Sequence, residues 1–227
     1  YVRVEGRGGD WAENHFPNDP DGNLYKLDDH APGATNSPPG NLGSGEFRHE
    51  GTDPAAYADT FFKETNKTEN DYSDLAQFTK VVSAPASGGS AAQPALSDAA
   101  YPAAVAQVLD LDPFYRFIAA DALIGTQEGG LQSGRADDVS IYSGLIDPRF
   151  RFIPHDLDDV FDIGNGSGNP VTRSIFSYDY AFGGSTPGTG VEGLTRLFNH
   201  PQLVPRYYAA LLAAMDDWFN RATVDPI

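Results

Sequence analysis

Apolar and polar side chains alternate over Tyr1-Val2-Arg3-Val4-Glu5, and this period of two predicts a strand that Gly6, Gly8 and Gly9 bring to an end. Asp10 reads as the N-cap of a short helix reaching His15, and the Asn-, Asp- and Pro-rich run 17–22 as a turn. A second short strand is expected over Asn23-Leu24-Tyr25-Lys26-Leu27. Helices are predicted over 55–63, 73–82, 98–109 and 113–123, with Pro113 after Asp112 suited to the first helical position of the last. Residues 138–142 and 150–153 predict the two strands of a hairpin, joined through Gly144 and Asp147-Pro148. Helices over 192–198 and 202–220 follow. On the second of these, Leu203, Val204, Tyr207, Tyr208, Leu211, Leu212, Met215, Trp218 and Phe219 recur at helical spacing and predict a broad core-facing stripe.

Between these elements the sequence changes character. Gly, Pro, Asn and Ser dominate 28–54, which predicts a long irregular surface loop. Residues 81–97 carry no charge and consist largely of Ala, Ser, Gly, Pro and Gln, the composition of a low-complexity insertion. A further Gly/Ser/Asn-rich loop runs from 164 to 190. No internal repeat occurs. Strands are few and short, helices dominate, and βα units do not alternate regularly, so the expected class is α+β.

Charge narrows the partners. The 227 residues hold 15 Lys+Arg against 32 Asp+Glu, a formal net charge of −17. A polyanion needs a basic surface, which argues against nucleic acid as a partner and disfavours anionic lipid in the same way. There is no cysteine, which removes disulfides, thiolate nucleophiles and Cys-based metal sites. No apolar run is long enough for a membrane span. The chain opens on Tyr1 directly in strand-like sequence, which reads as a processed protein or a piece of a longer one.

Standard chemical signatures are mostly missing: no phosphate loop of the Walker type, no HExxH zinc site, no GxSxG elbow. Gly6-Arg7-Gly8-Gly9 is only loosely like a phosphate-cradling turn, and otherwise a plain Gly-rich turn. Asp19-Pro20-Asp21-Gly22-Asn23 lacks the sixth-place Gly and late Glu of a calcium loop. The densest candidate is 128–162, with Glu128, Asp137, Asp138, Asp147, Asp156, Asp158, Asp159 and Asp162 against Arg149 and Arg151. Carboxylates crowded about a hairpin repel unless a cation or solvent intervenes, so this is either a divalent-metal site suited to Mg²⁺ or Mn²⁺ or a solvated acidic loop. The order of elements bears on that choice. A helix leads to Glu128, Asp138 heads one strand, and Asp156 follows the second, the cadence of a protein kinase: catalytic loop, hairpin, metal-binding Asp.

Several motifs in order strengthen this. Tyr1-Val2-Arg3-Val4-Glu5, Asp21-Gly22-Asn23-Leu24-Tyr25-Lys26, Asp71-Tyr72-Ser73-Asp74-Leu75, Phe152-Ile153-Pro154-His155-Asp156-Leu157-Asp158 and the helices of 194–219 together resemble the CotH kinase-like family. That resemblance implies an atypical kinase-like fold transferring phosphate from ATP to Ser/Thr-type hydroxyls of secreted or cell-surface proteins. It implies metal ligation by Asp138, Asp156 and Asp158, catalytic roles for Glu128 and Asp156, and nucleotide contacts from Glu5 and Lys26. Lys26 either faces the nucleotide or is a solvated strand lysine. His155, where the family often has Trp, is expected as a packing or capping group.

The chain departs from the family pattern at two functional positions. Glu128 stands where many members have a catalytic Asp, and Asp138 where many have a metal-binding Asn; Asp147-Pro148-Arg149-Phe150 is similar to a branch of the family that shares such changes. Glu is one methylene longer, which alters how it positions a hydroxyl. The family's kinase small lobe precedes the Tyr-x-x-x-Glu strand, so residues 1–227 are expected to be a large-lobe domain without it. The alternatives are a catalytically inactive kinase-like protein serving as a surface or structural binding component, and, with less support, an acidic carbohydrate-associated module.

Overall fold

The structure, a computed structural model, describes residues 6–27, 47–58, 60–126, 139–155, 157, 160–161, 175 and 194–224. The predicted strand over 1–5, most of the loop over 28–54 and nearly all of that over 164–190 lie outside them. Among the described residues there are eight helices, α1 (Gly9–His15), α2 (Ala55–Ala58), α3 (Ser73–Val82), α4 (Tyr101–Val108), α5 (Leu111–Ile124), α6 (Leu194–Asn199), α7 (Val204–Asp217) and α8 (Arg221–Val224). Four strands, β1 (Asn23–Leu27), β2 (Phe61–Lys63), β3 (Val139–Ser143) and β4 (Arg151–Pro154), form one antiparallel sheet in the order β2-β1-β3-β4. This is a mixed α/β molecule with a small sheet.

Alternation along β1 sends its side chains to two different cores. Tyr25 and Leu27 join Phe61, Val139, Ile141 and Phe152 in the main core, against α3, α4, α5, α6 and α7. Leu24 and Tyr142 face the other way, onto Trp11 and Ala12 of α1, with Phe16 and Ile153 beside them. The main core is rich in rings: Phe78 lies 4.6 Å from Phe150, and Phe114 5.0 Å from Phe152. Such pairs add about 0.5–1.5 kcal/mol each beyond the area they bury.

The structure corrects four expectations. Residues 55–63 do not form one helix: α2 stops at Ala58 and Phe61–Lys63 becomes β2, because β1 offers an open edge on which Phe61 and Lys63 find cross-strand partners. Asp10 lies inside the first turn of α1, Gly8 is the N-cap, and no side chain caps the helix. α5 begins at Leu111 with Asp110 at its N-cap, so Pro113 is the third helical residue rather than the first, and Gly125 ends it in the left-handed region at φ 63°. The stripe on α7 is narrower than the spacing suggested. Tyr207, Leu211 and Ala214 are buried with Leu203, while Tyr208, Leu212, Met215 and Trp218 are exposed.

Between α3 and α4 the uncharged segment forms neither helix nor strand but is tied down. Gly89 bridges Pro94. Arg196 of α6 donates to the carbonyls of Ala84 (2.7 Å) and Leu96 (2.6 Å), pairs with Asp98 at 2.9 Å and lies 3.9 Å over the Tyr101 ring.

Candidate active site

The start of β3 and the end of β4 lie together at the open end of the hairpin. Their register pairs Val139 with Pro154 and Ser140 with Ile153. Asp138 is bonded to Val139, and Asp156 follows His155 just beyond Pro154. The helix feeding this region is anchored close by, since the Phe161 N–H donates to the Ile124 carbonyl at the C-terminal end of α5 (2.8 Å). The chain leaving α5 and the chain beyond β4 therefore meet at this hydrogen bond. Glu5, Glu128, Asp138, Asp156 and Asp158 themselves lie outside the described residues. Among the described residues no group of three or more His, Asp or Glu side chains could hold a metal ion.

The opposite end of the hairpin is pinned from a distance. Asp19, in the turn after α1, accepts the backbone N–H groups of Leu145, Ile146 and Asp147, each at 2.9 Å. Burial works to raise its carboxyl, but those three donors and the charge of Arg151 prevail and hold it below the usual carboxylate range. Asp147 is bound by Arg149 Nη2 at 2.7 Å and also by Arg151, while both arginines reach Asp110. The Arg149 side-chain hydrogen bond, against some desolvation and with help from the Arg149 N–H and Arg151, holds Asp147 down to about 2. Asp147, Arg149 and Arg151 belong to the acidic cluster by sequence. Here their side chains form an ion-pair network with Asp110.

The Gly-Asn-Leu-Tyr-Lys run divides its labour between the two sheet faces. Asn23 donates to Asp74 Oδ2 (2.9 Å) and accepts from Lys63 (3.3 Å) and Asn66 (3.0 Å), and the Tyr25 hydroxyl donates to Asp74 Oδ1 at 2.7 Å. Burial first, then the Asp74 charge, drive the Tyr25 hydroxyl far above its ordinary pKa, so it remains a donor. This cluster clamps β1 to the start of α3, joining two of the sequence motifs by direct contact. Gly22 admits the Tyr142 hydroxyl, which accepts its N–H at 3.0 Å.

Lys26 points to the other face. It is half-buried and sits across from Ser140 on β3 and Phe62 on β2. Arg7 reaches the same spot: its Nη1 donates to Ser140 Oγ at 2.7 Å, its Nη2 donates to the Pro154 carbonyl, and its guanidinium lies 5.6 Å over the Trp11 ring. The sequence had offered Arg7 only as part of a glycine-rich turn. A second residue that went unnoticed is Asp121, buried near the end of α5. Its signal was legible, for 114, 118 and 121 share one helical stripe and the first two are Phe and Ile.

Comparison with known proteins agrees with the motif set. A match to the CotH kinase protein family covers residues 1–227, and the chain belongs to that family. It is thereby a kinase-like protein. No curated protein matches the chain. No helix among the described residues is long and apolar enough to cross a membrane.

Proposed function

We propose that this protein is an atypical kinase that moves the γ-phosphoryl group of ATP to a Ser/Thr-type hydroxyl of a secreted or surface protein. The observation that supports the reading is the pairing of Val139 with Pro154, which brings the start of β3 and the end of β4 together, while Phe161, seven residues further on, bonds to the C-terminal end of α5. Three carboxylates, Asp138, Asp156 and Asp158, flank that pair in sequence and are hard-oxygen donors of the kind Mg²⁺ or Mn²⁺ takes. When bound, the ion supplies neutralisation of phosphate charge, the main requirement of phosphoryl transfer. Glu128 accepts the proton of the acceptor hydroxyl as its oxygen bonds to the γ-phosphorus and the bond to the β,γ-bridging oxygen breaks, ADP leaving. Lys26 and Glu5 serve the nucleotide.

Transfer of labelled γ-phosphate from Mn²⁺–ATP, by wild type and Asp156→Ala, tests this. The expected loss is at least about a hundredfold, as for removing a group that acts on the transition state. Undiminished transfer by the variant refutes the assignment. Glu128 and Asp138, standing where the family pattern has Asp and Asn, favour a second reading, an inactive surface or structural binding protein on this fold. Calorimetry separates the two, since the inactive protein shows no metal-dependent affinity for ATP.

A further inference from the structure

In a chain where acids outnumber bases by 32 to 15, a basic side chain without an acidic partner is conspicuous. Arg7 and Lys26 are two such residues side by side: neither forms an ion pair with another described residue, and both converge on Ser140, one by hydrogen bond and one by cross-strand register. Directly opposed residues on one sheet face hold their Cβ atoms roughly 5 Å apart.

The groups that hold Arg7 are the second observation. Ser140 Oγ and the Pro154 carbonyl are neutral acceptors, and the Trp11 ring lies beneath the guanidinium. They orient the guanidinium without adding a negative charge of their own. A guanidinium has five N–H donors, so others remain for a further acceptor, and Lys26 makes no hydrogen bond to a described residue. Burial disfavours the charged form of Arg7, and Glu64 supports it only from a distance, its own carboxylate being engaged by Lys67 at 2.9 Å. A guanidinium oriented by neutral groups with donors to spare, and a lysine on the strand position across from the serine that holds it, fit a polyanionic ligand with closely spaced oxygens.

We infer that Arg7 and Lys26, bracketing Ser140, form the phosphate-binding pair for the polyphosphate chain of the nucleotide. Arg7 reaches the carbonyl of Pro154, the last residue of β4, two positions before Asp156 in the sequence. This assignment rests on the kinase reading for its ligand, but not for its chemistry, since any linear polyphosphate satisfies the two cations.

Titration calorimetry with inorganic tripolyphosphate, Mn²⁺–ATP and adenosine tests it on wild type, Arg7→Met, Arg7→Lys and Lys26→Met. Each methionine variant is expected to weaken tripolyphosphate and ATP roughly tenfold or more, the loss of one charge-assisted contact, and to leave adenosine unchanged. Arg7→Lys recovers part of the affinity. Lys26→Met removes no described hydrogen bond, so its fold is secure even where Arg7→Met loosens α1. Tripolyphosphate binding that is absent from wild type, or indifferent to both positions, overturns the assignment. If that happens while Asp156-dependent transfer persists, only the cation pair is wrong. If the two cations bind tripolyphosphate and no transfer occurs, the pair stands and the kinase reading falls.

Discussion

Gly22→Ala isolates the tightest contact of the Gly-Asn-Leu-Tyr-Lys run. A Cβ at this position would lie 2.2 Å from the Ser143 carbonyl oxygen, 2.7 Å from Gly144 Cα and 2.7 Å from the Tyr142 hydroxyl. Two of these atoms are backbone of the hairpin and cannot rotate aside, so β1 and β3 must separate at that end. Overpacking of this kind costs about 1–3 kcal/mol. Displacing the Tyr142 hydroxyl also breaks its bonds with the Gly22 N–H and the Asp19 carbonyl, at about 1 kcal/mol each. Together the loss is about 3–5 kcal/mol, which for a domain of this size lowers Tm by roughly 6–20 °C. Urea unfolding monitored by tyrosine and tryptophan fluorescence reads the midpoint directly, with the slope expected unchanged. Gly6→Ala is the control, for its Cβ meets nothing within 4 Å and the change is expected to stay within about 0.5 kcal/mol. Equal stability of the two variants would refute the packing argument.

Two further substitutions probe the anchors. Asp19→Ala strips an acceptor from three N–H groups, two of them exposed to water, so the expected destabilisation is about 1–2 kcal/mol by denaturant unfolding, with Asp19→Asn intermediate. Arg196→Lys keeps the charge but loses the planar fork over Tyr101, and about 1–3 kcal/mol of stability with it; a loss confined to a few tenths would show the fork is dispensable. Acid sensitivity follows from Asp147 and Asp19, both held below the ordinary carboxylate pKa of about 3.9. A lowered folded-state value adds stability that is complete above the unfolded value and fades as pH falls through the folded one. Stability should therefore drop between about pH 4 and, for Asp147, about pH 2, and Asp147→Asn should flatten that slope in a pH series of thermal melts.

Local signals served well where one element decided its own fate. β1 and α3 begin and end where alternation and helical spacing placed them, and the hairpin differs from expectation by one residue. They failed where a neighbour decided. Ala55–Ala58 promises a helix, and only the free edge of β1 explains why Phe61–Lys63 turns to strand. Tyr208, Leu212, Met215 and Trp218 continue the apolar spacing of α7 yet face outward, because the core meets only the narrower stripe of Tyr207, Leu211 and Ala214. The site divides in the same manner. Lys26 was named from its motif, whereas Arg7 acquires its place through Ser140 and Pro154, more than a hundred residues away in the chain. No periodicity within 6–9 could report that.

The grip of Asp19 on the hairpin turn reaches further than stability. Strand side chains alternate strictly, so sliding β4 past β3 by one residue would bring every facing pair to the wrong face. Ser140 would then meet a core-facing residue in place of Ile153, and the Pro154 carbonyl would leave Arg7. By seizing three consecutive N–H groups of the turn, Asp19 admits one alignment and rejects its neighbours. It acts as a register key: a carboxylate at one end of the hairpin selects which side chains the other end presents.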